Sequence, residues 1–138
     1  MLLICVYMPY EGDESMIDEF ADQLTLIDSI IQSNSDCHIV ADSDYNVNLC
    51  LNSVHIAMLC SLCDNVGLTP VVKHNSANID YAYHFCMRRF SVLDHFLLSG
   101  TLFGNAVSSA YVVHDTDNTS DHELVVLNLS LHTVSRMC

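Results

Sequence analysis

His38-Ile39-Val40-Ala41-Asp42-Ser43-Asp44-Tyr45-Asn46 passes from a short apolar, β-branched run into a cluster of polar side chains. The turn residues Ser33 to Asp36 precede it, so Ile39-Val40-Ala41 reads as a buried strand entered from a turn. Asp44 and Asn46 then fall at the carboxyl end of that strand. Open α/β folds gather their chemistry at such ends. These two residues are therefore the first candidates for a site.

Upstream, from Ser15 to Gln32, the apolar residues Ile17, Phe20, Leu24, Ile27 and Ile31 recur at three- and four-residue intervals, and Asp18, Glu19, Asp22 and Asp28 mostly lie elsewhere around the wheel. This spacing predicts an amphipathic helix whose acidic residues form a solvated face. Before it, residues 2 to 7 form an apolar run containing Ile4 and Val6 that stops at Met8-Pro9, a strand followed by a loop. Downstream, a second helix is expected from Val54 to Asn65, burying combinations of Ile56, Leu59, Leu62 and Cys63, with Gly67 as its C-terminal stop and His55 at the surface or internally satisfied. Pro70 to Asn78 reads as an irregular connection. Strands are predicted at Tyr81 to Phe85 and Asp94 to Leu98, flanking the basic pair Arg88-Arg89, and at Ala110 to His114. After the polar loop Asp115 to Ser120, the alternation of Val125, Leu127, Leu129 and Leu131 with Val126, Asn128 and Ser130 predicts a last strand from Leu124 to Leu131. Strand and helix alternate early and strands dominate late, so the chain, residues 1–138, is expected to form one α/β domain.

Composition sets further bounds. The 138 residues are 51% hydrophobic, enough for a core, and argue against disorder. Only Lys73, Arg88, Arg89 and Arg136 are basic, and the formal charge of -13 repels phosphate backbones, which predicts weak binding to DNA unless divalent metal neutralises a site. The apolar N-terminal run lacks a basic leader, and no apolar stretch approaches the roughly 20 residues of a membrane helix. No membrane partner is expected, and the chain reads as intracellular, in nucleus or cytoplasm. The cysteines at 5, 37, 50, 60, 63, 86 and 138 form no framework and are expected to be reduced and mostly buried, with Cys60 and Cys63 packing in a helix rather than binding zinc. No Gly-rich phosphate loop appears, which disfavours nucleoside triphosphate hydrolysis.

Three polar clusters open or close predicted strands: Asp44 with Asn46, Ser91 with Asp94, and Ser120-Asp121-His122. Each alone also suits an ordinary turn. Together they supply what metal-assisted phosphodiester hydrolysis requires: carboxylates to orient water and hold a hard cation, a neutral amide, and an imidazole. Their order resembles the motif series of the endonuclease/exonuclease/phosphatase family over about residues 2–131. Ser43-Asp44-Tyr45-Asn46 is similar to the family's Gly-Asp-Phe-Asn, and Ser120-Asp121-His122 matches its terminal Ser-Asp-His. Val6-Tyr7-Met8-Pro9-Tyr10, the Phe20-x-x-x-Leu24 helix and Ser91-Val92-Leu93-Asp94-His95-Phe96 look like the endonuclease domain of LINE-type non-LTR retrotransposons.

The resemblance implies a partial four-layer αββα sandwich of the DNase I-like type, and it assigns roles. Asp44 would orient or deprotonate the attacking water, and Asn46 would position water and phosphate. His122 would contact the scissile phosphate, with its imidazole oriented by Asp94. Asp121 would lie near Mg2+ or Mn2+, and Tyr7 would reach the phosphate or leaving group. DNA would be the ancestral substrate. The family's first strands and the Glu they carry as a metal ligand precede the position of Tyr7. Glu11, Glu14, Glu19 and Glu123 follow no upstream strand and do not take that role. The expectation is therefore an N-terminally truncated domain with weak activity or none. The alternative is a catalytically dead remnant acting as a protein-interaction module, with self-association through an uncovered sheet.

Overall fold

The structure is a computed structural model that describes residues 1–10, 14–85 and 89–131. Its framework is a four-stranded sheet ordered β1-β2-β7-β3, built from β1 (Leu2–Tyr7), β2 (Ile39–Asp44), β3 (Leu68–Pro70) and β7 (Asp94–Ser99). β1 and β2 run parallel, joined by α1 (Ile17–Gln32), and β7 lies antiparallel to both β2 and β3. The predicted stripe closes α1 onto this sheet: Phe20, Leu24, Ile27 and Ile31 are its buried residues. Each such side chain contributes about 1.5–3 kcal/mol when fully removed from water.

α2 (Val54–Val66) packs beside α1 on the same face. Ser53 caps it by accepting a hydrogen bond from the Ile56 N–H at 3.2 Å. Gly67 ends it in the left-handed conformation, φ 69°, as the sequence predicts. Ile4, Ile39, Ala41 and Leu97 from the sheet and Leu59 and Leu62 from α2 complete this core.

Val40 and Leu98 point from the opposite face into a second cluster with Leu102 and Ala106 of the segment around α3 (Gly100–Asn105) and Ala110 of β8 (Val107–Val113). β8 lies between β4 (Ala77–Asn78) and β9 (Leu124–Leu129) in a second sheet, whose Leu127 and Leu129 pack on the same cluster. Helices, sheet and second sheet thus form three layers, and a hairpin of β5 (Tyr83–Phe85) and β6 (Arg89–Ser91) stands beside them. No described helix is long and apolar enough to cross a membrane.

Several expectations change. Pro70 to Asn78 is not irregular throughout, since Pro70 closes β3, Val71–Lys73 forms a 3-10 turn and Ala77–Asn78 pairs with β8. The thiols are not mostly buried: Cys5 and Cys50 are exposed, Cys37 and Cys60 half-buried, and Cys63 alone among the described cysteines is buried. Burial, with the neighbouring Cys60, pushes the Cys63 thiol up to about 11, the behaviour of an inert packing residue. His55 is neither at the surface nor fully satisfied. It is buried edge-on to Phe20, ring centroids 4.8 Å apart, with Nε2 unpartnered. Arg88, Arg136, Glu11, Cys86 and Cys138 lie outside the described residues.

Candidate functional site

Strand register builds the first part of the site. Tyr7 pairs with Asp44 across β1 and β2, and Asp44 pairs with Asp94 across β2 and β7. Residues paired in register share a face, so the three side chains form one row across the sheet. The row lies where β1 and β2 end and β7 begins. Ser43, buried where the related motif carries Gly, donates its hydroxyl to the Val6 carbonyl and ties β2 to β1 one residue before the row.

Asn46 locks the turn that follows. Its φ of 53° is left-handed, a conformation that asparagine tolerates better than most residues. Its buried side-chain amide donates to the Met8 carbonyl at 2.7 Å, and its backbone N–H donates to Asp44 Oδ1 at 3.0 Å. The amide nitrogen is therefore committed to the chain, and Asn46 orients Asp44 through the backbone. His95, next to Asp94, is also structural: it is buried, and its Nε2 is 2.9 Å from the Val47 carbonyl. Burial holds its pKa below the ordinary histidine value, and so keeps the ring neutral.

His122 completes the cluster from the loop between β8 and β9. Its Nδ1 is 2.9 Å from Asp94 Oδ2, and its Nε2 is 3.8 Å from Asp44 Oδ2. This separation exceeds a hydrogen bond but lets one oxygen atom sit about 2.8 Å from both, the distance of a good hydrogen bond. The Tyr83 ring packs against the imidazole with centroids 5.0 Å apart.

Electrostatics follow from this crowding. Burial lifts the Asp94 carboxyl above its usual value. The hydrogen bond from His122 works against that lift, and the charges of Asp44 and Asp42 add to it. For His122, partial burial favours the neutral ring, but the hydrogen bond and charge of Asp94, together with the charges of Asp44 and Asp121, outweigh it and leave the pKa raised.

Asp44, Asp94 and His122 form the one group of potential metal donors found among the described residues, with donor atoms all within 4.8 Å of one another. Oxygen donors of this type suit a hard divalent cation, and Mg2+ is commonly held by only one or two carboxylates plus phosphate and water. Asp121 stands outside that group. It is exposed, and its charge acts on His122. Tyr7 is 75% exposed at the open end of the row. The structure therefore brings Asp44, Asp94 and His122 together, and places Asn46 behind Asp44 and Tyr7 and Asp121 around the rim. Sequence reasoning passed over Tyr83 and Asn118, which contact the histidine ring and its carbonyl. The Asn-x-Ser spacing of Asn118 and Ser120 before the Asp-His pair was a legible turn signal for the second.

This architecture is that of the endonuclease/exonuclease/phosphatase, or DNase I-like, proteins. The 3' phosphatase NExo from Neisseria, solved bound to a product DNA hairpin, is similar at a TM-score of 0.76 and 16% identity, over 94% of this chain and 61% of that one. A mannosyl-6-phosphatase from Bacteroides thetaiotaomicron gives 0.68 and 15% identity over 95% and 51% of the two chains. An endonuclease/exonuclease/phosphatase family protein from the same species gives 0.65 and 15% identity over 92% and 48%. The chain thus spans about half the length of the solved structures first matched. No protein-family description and no curated protein matches it by sequence.

Proposed function

We propose that this chain is a single endonuclease/exonuclease/phosphatase domain, related to those of LINE-type retrotransposons, whose site hydrolyses phosphodiesters with a divalent metal. The observation that carries the reading is His122, held by Asp94 on one nitrogen and facing Asp44 with the other, at strand ends of this fold. Neighbours with that fold include a phosphatase bound to DNA and a sugar phosphatase, which supports phosphoester chemistry.

In this reading a water oxygen bonds to phosphorus as the bond from phosphorus to the 3' oxygen breaks. Asp44 takes the proton from the water, and Asn46 fixes Asp44 for the task. His122 in its protonated form donates from Nε2 to a non-bridging phosphate oxygen, while its Nδ1–H donates to Asp94, whose carboxylate favours that form and orients the ring. Tyr7, exposed beside Asp44, is within reach of the leaving group: the 3' oxygen takes a proton from the Tyr7 phenol or from solvent water, departs as a 3'-hydroxyl and leaves a 5'-phosphate. Mg2+ or Mn2+, lying near Asp121 at the rim of the Asp44, Asp94 and His122 group, would offset the negative charge that gathers on the phosphate.

A second reading has its own support. The charge of -13 opposes DNA, and the described residues offer few metal donors. Leu3, Cys5 and Tyr7 are exposed along β1, the outermost strand of its sheet, which favours a protein-binding or self-associating remnant. Nicking of supercoiled plasmid in Mg2+ or Mn2+, with His122→Ala run beside the wild type, separates the two. Nicking that the variant lacks supports the hydrolase, whereas folded protein that never nicks supports the remnant.

A further inference from the structure

The loop that delivers His122 is held by a set of contacts that the reaction itself does not use. Asn118 employs both ends of its amide. Its Oδ1 accepts from the Ser120 N–H at 2.9 Å, while Nδ2 donates to the His122 carbonyl at 2.7 Å and to Glu123 Oε2 at 3.1 Å. Ser120 Oγ in turn accepts from the His122 N–H at 3.1 Å. The Glu123 side chain is 8% exposed, and its other oxygen lies 3.6 Å from His84 Nε2. Two backbone bonds clamp the same segment to β5 and the residue before it: His84 N–H to the Asp121 carbonyl at 2.9 Å and Glu123 N–H to the Ala82 carbonyl at 2.7 Å. His122 sits between these two bonds, across from Tyr83.

A buried carboxylate needs donors, and a loop carbonyl needs a reason to face inward. Asn118 answers both with one amide group. Loss of that group frees the His122 carbonyl and leaves Glu123 with only the distant His84. The imidazole must reach Asp94 and Asp44 from a loop rather than from a strand, so its place depends on how firmly the loop backbone is fixed.

We infer that Asn118, backed by the buried carboxylate of Glu123, is a positioning residue that sets the backbone of His122 and so the contact of its imidazole with Asp94. The inference builds on the proposed role of His122, but its test reads the imidazole directly. In protein labelled with 15N-histidine, the Nδ1 proton shared with Asp94 gives a downfield, slowly exchanging resonance, assigned by its loss in Asp94→Ala. Asn118→Asp keeps an oxygen for the Ser120 N–H but has no N–H for the His122 carbonyl or Glu123. It is expected to lose or broaden this resonance while still melting cooperatively, and to lower kcat about 10- to 100-fold with KM little changed. Glu123→Gln keeps an acceptor for Asn118 and is expected to retain the resonance.

An intact resonance in Asn118→Asp overturns the inference. If that variant does not fold, the uncharged Asn118→Ser is read by the same criterion. Loss of folding in both makes Asn118 a residue of the fold rather than of the site, and overturns it as well. A resonance lost in the variant while the wild type never cleaves leaves the positioning role standing and removes the hydrolase reading. Equal cleavage by both proteins with an intact resonance does the reverse.

Discussion

Two aspartate-histidine pairs sit in this molecule at nearly the same distance. His122 Nδ1 meets Asp94 at 2.9 Å, and His114 Nε2 meets Asp80 at 3.0 Å. Their settings differ. The first pair is partly buried at strand ends, faces a second carboxylate and is backed by Tyr83. In the second, the Asp80 side chain is 60% exposed and His114 stacks on Tyr81, with ring centroids 4.4 Å apart. The carboxyls respond in opposite senses. Burial dominates at Asp94 and raises it, whereas at Asp80 slight burial is outweighed by the Tyr81 N–H and the hydrogen bond from His114, which lower it. A short aspartate-histidine contact therefore does not by itself make a site. Burial and a second carboxylate do.

The largest expected contrast is in activity. His122→Ala should reduce plasmid nicking in Mn2+ by about 10²- to 10³-fold, the usual worth of one hydrogen-bond donor to charge developing in the transition state, while His114→Ala changes it little. Equal losses in the two variants would erase the distinction. Next, Asp94→Asn should lower the cleavage rate about 10- to 100-fold, because the ring loses the carboxylate that orients it, and Asp80→Asn should leave the rate unchanged. Stability should show a smaller effect. Breaking the exposed pair with Asp80→Ala is expected to cost at most about 1 kcal/mol by urea denaturation.

The finest contrast is in pH. The raised pKa of His122 gives a stabilising contribution that is complete below the ordinary value of 6.5 and lost as pH rises through the folded value. The lowered carboxyl of Asp80 contributes above its ordinary value of 3.8, and that contribution is lost as pH falls through the folded value. Denaturation midpoints of His122→Ala should therefore depend less on pH above about 6.5, and those of Asp80→Asn less on pH below about 4.

Much of the layout was legible in the sequence because periodicity reports which face is buried. The α1 stripe, the β1 and β2 runs and Gly67 as the end of α2 stand where the spacing places them. Short elements were not legible. α3, six residues from Gly100 to Asn105, and the two-residue β4 are fixed by contacts with β7 and β8, which no local pattern announces. The residues of the site were visible as strand-end polar clusters, but their division of labour was not. Asn46 reads as a group that could face substrate, and only the partner across the turn, the Met8 carbonyl, shows where its amide nitrogen is spent. His55 defeated sequence reasoning for a related reason: its ring lies edge-on to Phe20, a contact between two helices far apart in the chain.

The row from Tyr7 through Asp44 to Asp94, closed by His122, draws on four stretches spread from the first strand to the last loop. None of the pairings that build it joins neighbours in sequence. The Asp94 and His122 contact spans 28 positions, and Asn46 reaches back 38 to Met8. Contacts this distant in the chain carry the loop-closure entropy that slows folding. In a refolding experiment, helix signal should return before the His122 environment does. The site is then a clock for the last step of assembly, and its recovery marks the moment when the whole chain, rather than any part of it, is in place.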